Sequence, residues 1–154
     1  MNESKITNLV GSSVHLQWDS ERISYLLENK NLNKSGYSPN KNINYFDLGT
    51  HKRAAELNWV VKKVLSQLPN PYRVFGFEAN PDSFNVAINN CNQIDNIKLY
   101  NLALVNKIPK SGLIKLFTKS GGLGDSIYRT ANKSYTEVEA KKLSDVIKDE
   151  NIKL

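Results

Sequence analysis

Two carboxylates and one glycine turn have the residue types and spacing best suited to chemistry in this chain. Asp47-Leu48-Gly49-Thr50-His51 closes the mostly apolar run Ile43-Asn44-Tyr45-Phe46-Asp47-Leu48, and Glu78 closes a second apolar run, Val74-Phe75-Gly76-Phe77. A glycine where a buried strand turns toward a helix lets the backbone come close to a ligand and offers it N–H groups. A carboxylate at the end of the neighbouring strand can accept hydrogen bonds from both hydroxyls of a ribose, because the ends of adjacent parallel strands flank one crevice. Together they point to the binding of a nucleoside-containing cofactor. Plainer roles compete: Asp47 could equally hydrogen-bond the backbone of its own turn, and His51 could touch a cofactor or act as a base, yet a histidine in a first helical turn is more often a cap or surface group. Glu78 is harder to explain structurally, since a carboxylate ending an apolar strand needs a partner.

The elements that would position these residues follow from apolar periodicity. Ile43–Leu48 reads as a strand buried on both faces. Leu57, Val60, Val61, Val64, Leu65 and Leu68 repeat at the spacing of one helical face, stopped by Pro69 and Pro71. After the Val74–Phe77 strand, Asn80 is placed to cap a helix with Pro81 at its first position, and Phe84, Ala87, Ile88 and Cys91 form its apolar face. Ile97-Lys98-Leu99-Tyr100 supplies a third strand. Residues 43 to about 105 thus predict a βαβαβ unit, half of a doubly wound parallel sheet with spatial order 3-2-1.

The pattern then turns extended. Leu113 to Phe117 and Thr136 to Leu143 predict a β-hairpin insertion around a loop containing Gly121, Gly122 and Gly124, and Ser144 could cap a short helix through Val146 and Ile147. The glycine loop lacks the following Lys-Ser or Lys-Thr and the strand–loop–helix setting of a phosphate cradle. Residues 1–42 read as an N-terminal extension with one helix capped by Asp19 or Ser20, and residues 43–154 as the main domain, with its β insertion over 106–143.

Three segments carry a resemblance to a known family. Tyr45-Phe46-Asp47-Leu48-Gly49-Thr50-His51, Val74-Phe75-Gly76-Phe77-Glu78-Ala79-Asn80-Pro81 and Asn96-Ile97-Lys98-Leu99-Tyr100-Asn101-Leu102-Ala103-Leu104 resemble successive blocks of the FkbM family of class I methyltransferases. The likeness extends more weakly through Gly124-Asp125-Ser126 and through Val138 to Val146. It implies a Rossmann-like α/β fold, S-adenosylmethionine as cofactor, and methyl transfer to a hydroxyl of a sugar, glycan or other small metabolite. By this resemblance Asp47, Gly49 and Thr50 line the methionine and ribose side of the cofactor, with His51 beside them; Glu78 holds the ribose hydroxyls; Ala79, Asn80, Asn101 and Leu102 approach the adenine. The resemblance assigns no catalytic base.

Two departures stand out. Arg53 occupies the position where the family commonly has a second glycine, and the chain reaches Leu154 without the acidic Asp-x-Glu-Gly motif that follows the family's β insertion. The expectation is therefore an apparently truncated domain lacking its C-terminal half, with the edge of the first strand exposed for self-association. Val14-His15-Leu16-Gln17-Trp18 has the alternation of a substitute strand that could cover it. A non-catalytic remnant or partner subunit, using the half-Rossmann unit for binding or assembly, is the alternative. A nicotinamide-dinucleotide protein is disfavoured because residues 47–53 do not supply G-x-G-x-x-G spacing.

Composition narrows the remaining classes. With 154 residues and 40% hydrophobic content there is material for one domain with a core. No apolar stretch is long enough for a membrane span and no signal-peptide pattern opens the chain, so a cytoplasmic location without a membrane partner is expected. The single cysteine, Cys91, excludes an internal disulfide and reads as buried packing. The 21 Lys and Arg exceed the 15 Asp and Glu by a net +6, but they are scattered along the chain, which favours a solvated surface over nucleic-acid binding. Trp18 and Trp59 read as core or interface aromatics, and His15 has no second ligand at metal-binding spacing, so no metal site is expected.

Overall fold

The computed structural model describes residues 42–118, 125–128 and 134–152. The expected helix and substitute strand within residues 1–41 and the Gly121–Gly124 loop lie outside them. The chain divides into two compact units, the larger comprising Asn44–Asn58 and Tyr72–Leu154 and the smaller including Trp59–Pro71.

The larger unit is mixed α/β, built on a three-stranded parallel sheet. Strands β1 (Ile43–Leu48), β2 (Tyr72–Phe77) and β3 (Ile97–Tyr100) lie in the order β1-β2-β3, the order expected from the sequence. Val74 pairs with Ile97 and Phe77 with Tyr100, in parallel register. Strand alternation divides β2 between two faces. Phe75 and Phe77 join Leu102 and Val146 in one buried cluster, flanked by Phe46, Tyr100, Leu143 and Ile152. Rings stack across all three strands, Phe46 on Phe75 at 5.1 Å and Phe77 on Tyr100 at 5.1 Å. On the opposite face Val74 is fully buried, and Gly76 lies against Leu57 and Thr50.

Helix α1 spans Ala55–Lys63, and a 3-10 turn at Leu65–Gln67 follows it. The apolar stripe had predicted one helix running to Leu68. Leu68 has φ −88° and ψ 143°, the extended backbone favoured before a proline, so Pro69 ends the 3-10 turn; the α-helix itself has already ended at Lys63, with Val64 at φ −119° and ψ −69°. Helix α2 (Pro81–Cys91) starts as predicted, with Asn80 as N-cap accepting from the amides of Asp82 and Ser83 and Pro81 in the first turn. Its buried residues are Ser83, Ala87 and Cys91, whereas Ile88, expected on that face, is 43% exposed. A stripe at i, i+4, i+8 leaves the residue after Ala87 about 100° away around the helix.

The second sheet was only partly foreseen. Strands β5 (Leu113–Thr118) and β6 (Ser134–Lys141) pair antiparallel from Leu113 opposite Glu139 to Thr118 opposite Ser134, as a hairpin requires. A short strand β4 (Ala103–Leu104) adds in parallel on the other side of β6, giving the order β4-β6-β5. The chain thus leaves the first sheet at Asn101 and Leu102 and enters the second, whose core is Ala103, Leu116 and Val138. Strand β6 ends earlier than predicted, because Leu143 opens helix α3 (Leu143–Asp149). Lys142 occupies its N-cap without a side-chain bond, and Ser144, the expected cap, lies inside the first turn. Among the described residues no helix is long and apolar enough to cross a membrane.

Candidate functional site

The C-terminal ends of β1 and β2 meet as the sequence anticipated. The amides of Gly49 and Thr50 both donate to the Phe77 carbonyl, at 2.9 and 2.8 Å, so the turn after β1 is stitched to the last residue of β2. Gly49 has φ +98°, a backbone conformation that L side chains rarely adopt, and this explains the glycine at that position. Thr50 is buried, and its hydroxyl donates to Asp47 Oδ2 at 2.7 Å. Asp47 therefore does hydrogen-bond within its own turn, through one carboxylate oxygen.

His51 does not lie in a helical turn, since α1 begins four residues later. A tight turn intervenes, with the Ala54 amide donating to the His51 carbonyl at 2.7 Å and Ala54 at φ +47°. A non-glycine residue there costs about 1–2 kcal/mol. The imidazole accepts at Nδ1 from the Arg53 amide at 3.4 Å, and its Nε2 is buried without a partner among the described residues. With Nδ1 accepting, a neutral imidazole carries its proton on Nε2, which leaves an unsatisfied donor beside the turn. Arg53, standing where a second glycine was expected, is exposed.

Across the crevice, the segment Glu78-Ala79-Asn80 is held at several points. The Glu78 amide donates to the Tyr100 carbonyl at 3.0 Å, and Glu78 Oε1 accepts from the Asn80 amide at 2.8 Å. Asn101 donates its side-chain amide to the carbonyls of Glu78 and Ala79, at 2.8 and 3.2 Å. Ala79 packs against the core of the second sheet. Asn80 is buried, and besides capping α2 it donates through Nδ2 to Asp125 Oδ2 at 2.6 Å. The Leu102 side chain belongs to the aromatic core cluster, so any approach it makes to a ligand is by its backbone.

The ionisable groups at these strand ends are shifted upward, chiefly by burial. Burial pushes the Asp47 carboxyl above its ordinary range; the Thr50 hydrogen bond opposes this and the Glu56 charge adds to it. Glu78 is also pushed up, first by burial and then by the charges of Asp125 and Asp47, against hydrogen bonds from the Asn80 and Ala79 backbone. The Tyr45 phenol rises too, from burial and from Asp47 and Glu56. Among the described residues the ion pairs join Glu150 to Arg73 and Lys98, and Asp149 to Lys141; none includes Asp47 or Glu78. No cluster of three or more His, Cys, Asp or Glu side chains among those residues could hold a metal ion.

No family model, curated protein or solved structure matches this chain. Asp47, Gly49, Thr50 and His51 share one turn, and Glu78, Ala79, Asn80 and Asn101 share the facing bend. Sequence reasoning did not assign a role to Asp125, which Asn80 ties to the same crevice. Its only sequence signal was its place in the Gly124-Asp125-Ser126 block, far from Glu78 along the chain.

Proposed function

We propose that the chain binds S-adenosylmethionine at the ends of β1 and β2 and is an FkbM-like O-methyltransferase acting on a hydroxyl of a sugar or other small metabolite. The observation that carries this reading is the pair Asp47 and Glu78. They are partly buried carboxylates at the ends of adjacent parallel strands, raised above their ordinary pKa, and neither is in an ion pair among the described residues. Such groups are satisfied by hydroxyl donors or by a cation.

The donor set fits this cofactor. Glu78 would accept from the ribose hydroxyls, Asp47 would face positive charge on the methionine portion, and the orphaned His51 Nε2 would donate to its carboxylate. Gly49, with no neighbouring atom within 4 Å of a built Cβ, leaves the backbone open to close approach. When bound, S-adenosylmethionine supplies a methyl group on a positively charged sulfur. The chain's own contribution is then alignment: the Gly49 turn and the Asn101-braced bend hold the two sides of the crevice in place, which is the larger part of catalysis in a displacement of this kind. Titration calorimetry with S-adenosylmethionine, S-adenosylhomocysteine and NAD tests the assignment. Either sulfur nucleoside should bind more tightly than NAD; tighter binding of NAD would overturn it.

A second reading, a binding or assembly role without turnover, is favoured by the position of β1. Among the described residues it forms the edge of its sheet, and an edge strand offers unpaired N–H and C=O groups to another chain. Light scattering together with a methyl-transfer assay separates the two. Turnover by a monomer supports the enzyme, and self-association without turnover supports the alternative.

A further inference from the structure

Asn101 and the Glu78 carboxylate hold opposite ends of the same two peptide groups. Asn101 directly follows β3, and its Nδ2 donates to the carbonyls of Glu78 and Ala79, at 2.8 and 3.2 Å. Two carbonyls can only accept, so the atom facing them is the side-chain nitrogen, with one hydrogen for each. The Glu78 carbonyl shares its peptide plane with the Ala79 amide, and the Ala79 carbonyl shares its plane with the Asn80 amide. Both peptides are trans, so each N–H points away from its C=O. On that far side lies the Glu78 carboxylate: its Oε1 accepts from the Asn80 amide at 2.8 Å, and the Ala79 amide also favours its charged form. Turning either plane loosens bonds on both sides at once. The bend is pinned at its ends as well, by the Glu78 amide donating to the Tyr100 carbonyl at 3.0 Å and by buried Asn80, whose Oδ1 caps α2.

We propose that Asn101 is a positioning residue that fixes the Glu78 carboxylate for the ribose hydroxyls, so that this side chain controls recognition of the sugar and not of the base. The inference rests on the S-adenosylmethionine reading and deepens it, replacing the adenine contact that the resemblance implies for Asn101. Both hydrogens of its side-chain amide are committed inside the chain. Donation to a peptide carbonyl polarises that peptide group and strengthens its N–H as a donor. The two amides then hold the carboxylate in place and support its charged form, which bonds a hydroxyl more strongly than the neutral acid does. Asn101 thus acts on the ligand through Glu78, by way of two rigid peptide planes.

The probes are S-adenosylhomocysteine, its 2′-deoxyribose analogue and its hypoxanthine analogue, titrated by calorimetry into the full chain. The parent should prefer the ribose ligand to the deoxyribose one by about tenfold or more, the scale of one hydrogen bond to a charged group. In Asn101→Ala that preference should fall about three- to tenfold, while the preference for adenine over hypoxanthine stays as in the parent. Asn101→Asp keeps the size of the side chain and an acceptor that an adenine amino group could use, but offers the two carbonyls no donor. Its ribose preference should fall as far. Carboxyl NMR of Asn101→Ala should show Glu78 titrating at higher pH than in the parent, because the amides that favour its charged form are no longer held, while the Asp125 and Asp47 charges that bear on it remain. The unliganded parent supplies a readout that needs no variant to fold: the Asn101 side-chain amide and the Ala79 and Asn80 backbone amides should titrate together with Glu78. An unchanged ribose preference in the variants, a loss of base preference in its place, or an Asn101 signal that does not follow Glu78 would overturn the proposal while leaving the cofactor assignment standing. A parent chain that binds none of the three ligands, or that binds both sugars equally, would overturn the reading of Glu78 and this proposal together.

Discussion

Gly76→Ala is the substitution through which the fold and the candidate site are most directly coupled. Gly76 is the penultimate residue of β2, where a Cβ would come 2.4 Å from Leu99 Cδ2, 2.7 Å from Thr50 Oγ1 and 3.2 Å from Leu57 Cδ1. These neighbours differ in how far they can yield. Leu99 is half-buried and presents the end of a flexible side chain, so it can change rotamer for about 0.5–1.5 kcal/mol. Thr50 is 1% exposed, β-branched, and bound through the same Oγ1 to Asp47 at 2.7 Å. Moving it by a few tenths of an ångström strains that bond, and overpacking of this kind costs about 1–3 kcal/mol. The expected loss is therefore roughly 2–4 kcal/mol in urea unfolding, a large fraction of the 5–15 kcal/mol typical of a domain. Gly49→Ala is the control: no atom lies within 4 Å of its built Cβ, so only the φ of +98° is strained, for about 1–3 kcal/mol. In Gly76→Ala the ligand affinity should fall as well, because Asp47 loses its Thr50 brace. Restoration of stability by Leu99→Ala in the Gly76→Ala background, with no deficit remaining, would refute the claim that Thr50 is the group that cannot move. A Gly76→Ala loss below about 0.5 kcal/mol would refute the packing argument altogether.

Glu78→Ala should weaken S-adenosylmethionine binding more than His51→Ala, because only Glu78 can accept from two ribose hydroxyls, with charge-assisted bonds of about 1.5–3 kcal/mol each at most; calorimetry showing equal or reversed losses contradicts the roles assigned. Ligand affinity should fall as pH drops through the raised Glu78 and Asp47 values, which lie above the ordinary 4.5 and 3.8, because binding needs both groups charged. For the unliganded fold the sign reverses: these two acids contribute stability that is full below their ordinary values and is lost as pH rises through the raised ones. An unliganded Asp47→Asn chain, whose amide oxygen can still accept from the Thr50 hydroxyl, should therefore be at least as stable as the parent at pH 7, and a clear drop in its Tm would contradict the sign worked out here. Glu150 behaves in the opposite way. Its carboxyl is held below the ordinary 4.5 chiefly by Lys98 and Tyr100, so its contribution is present above that value and is lost as pH falls through the lowered one. Glu150→Gln should cost about 1 kcal/mol at pH 7, the scale of partly exposed pairs, and the difference in Tm from the parent should vanish in acid.

Local sequence was sufficient wherever a residue's neighbours along the chain decide its state. The three strands, their order, the Asn80 cap with Pro81, the burial of Cys91 and the turn at Gly49 were all legible, because periodicity, capping chemistry and a positive φ are short-range properties. Asp47 and Glu78 were identifiable as a pair for the same reason: each terminates an apolar run, and adjacent parallel strands bring such termini together. Element boundaries were less legible. The α1 helix gives way to a 3-10 turn after Lys63, a change that the apolar stripe running to Leu68 does not signal, and Leu143 begins a helix instead of extending β6.

The tertiary structure decided what depends on residues far apart in the chain. The pairing of Ala103–Leu104 with β6 needs a strand more than thirty residues away, and two residues carry too weak a pattern to predict it. Asp125 reaches Asn80 across 45 residues of sequence, and nothing in its own surroundings identifies Glu78 as its neighbour. Glu150 joins Arg73, Lys98 and Tyr100 only because α3 packs on the face of the first sheet that carries Phe75 and Phe77. Composition set the net charge of +6, yet the charges that bear on Glu78 are those of the acids Asp125 and Asp47. Charge sums are properties of the chain, whereas the potential at a crevice is set by which few groups burial brings within reach of one another.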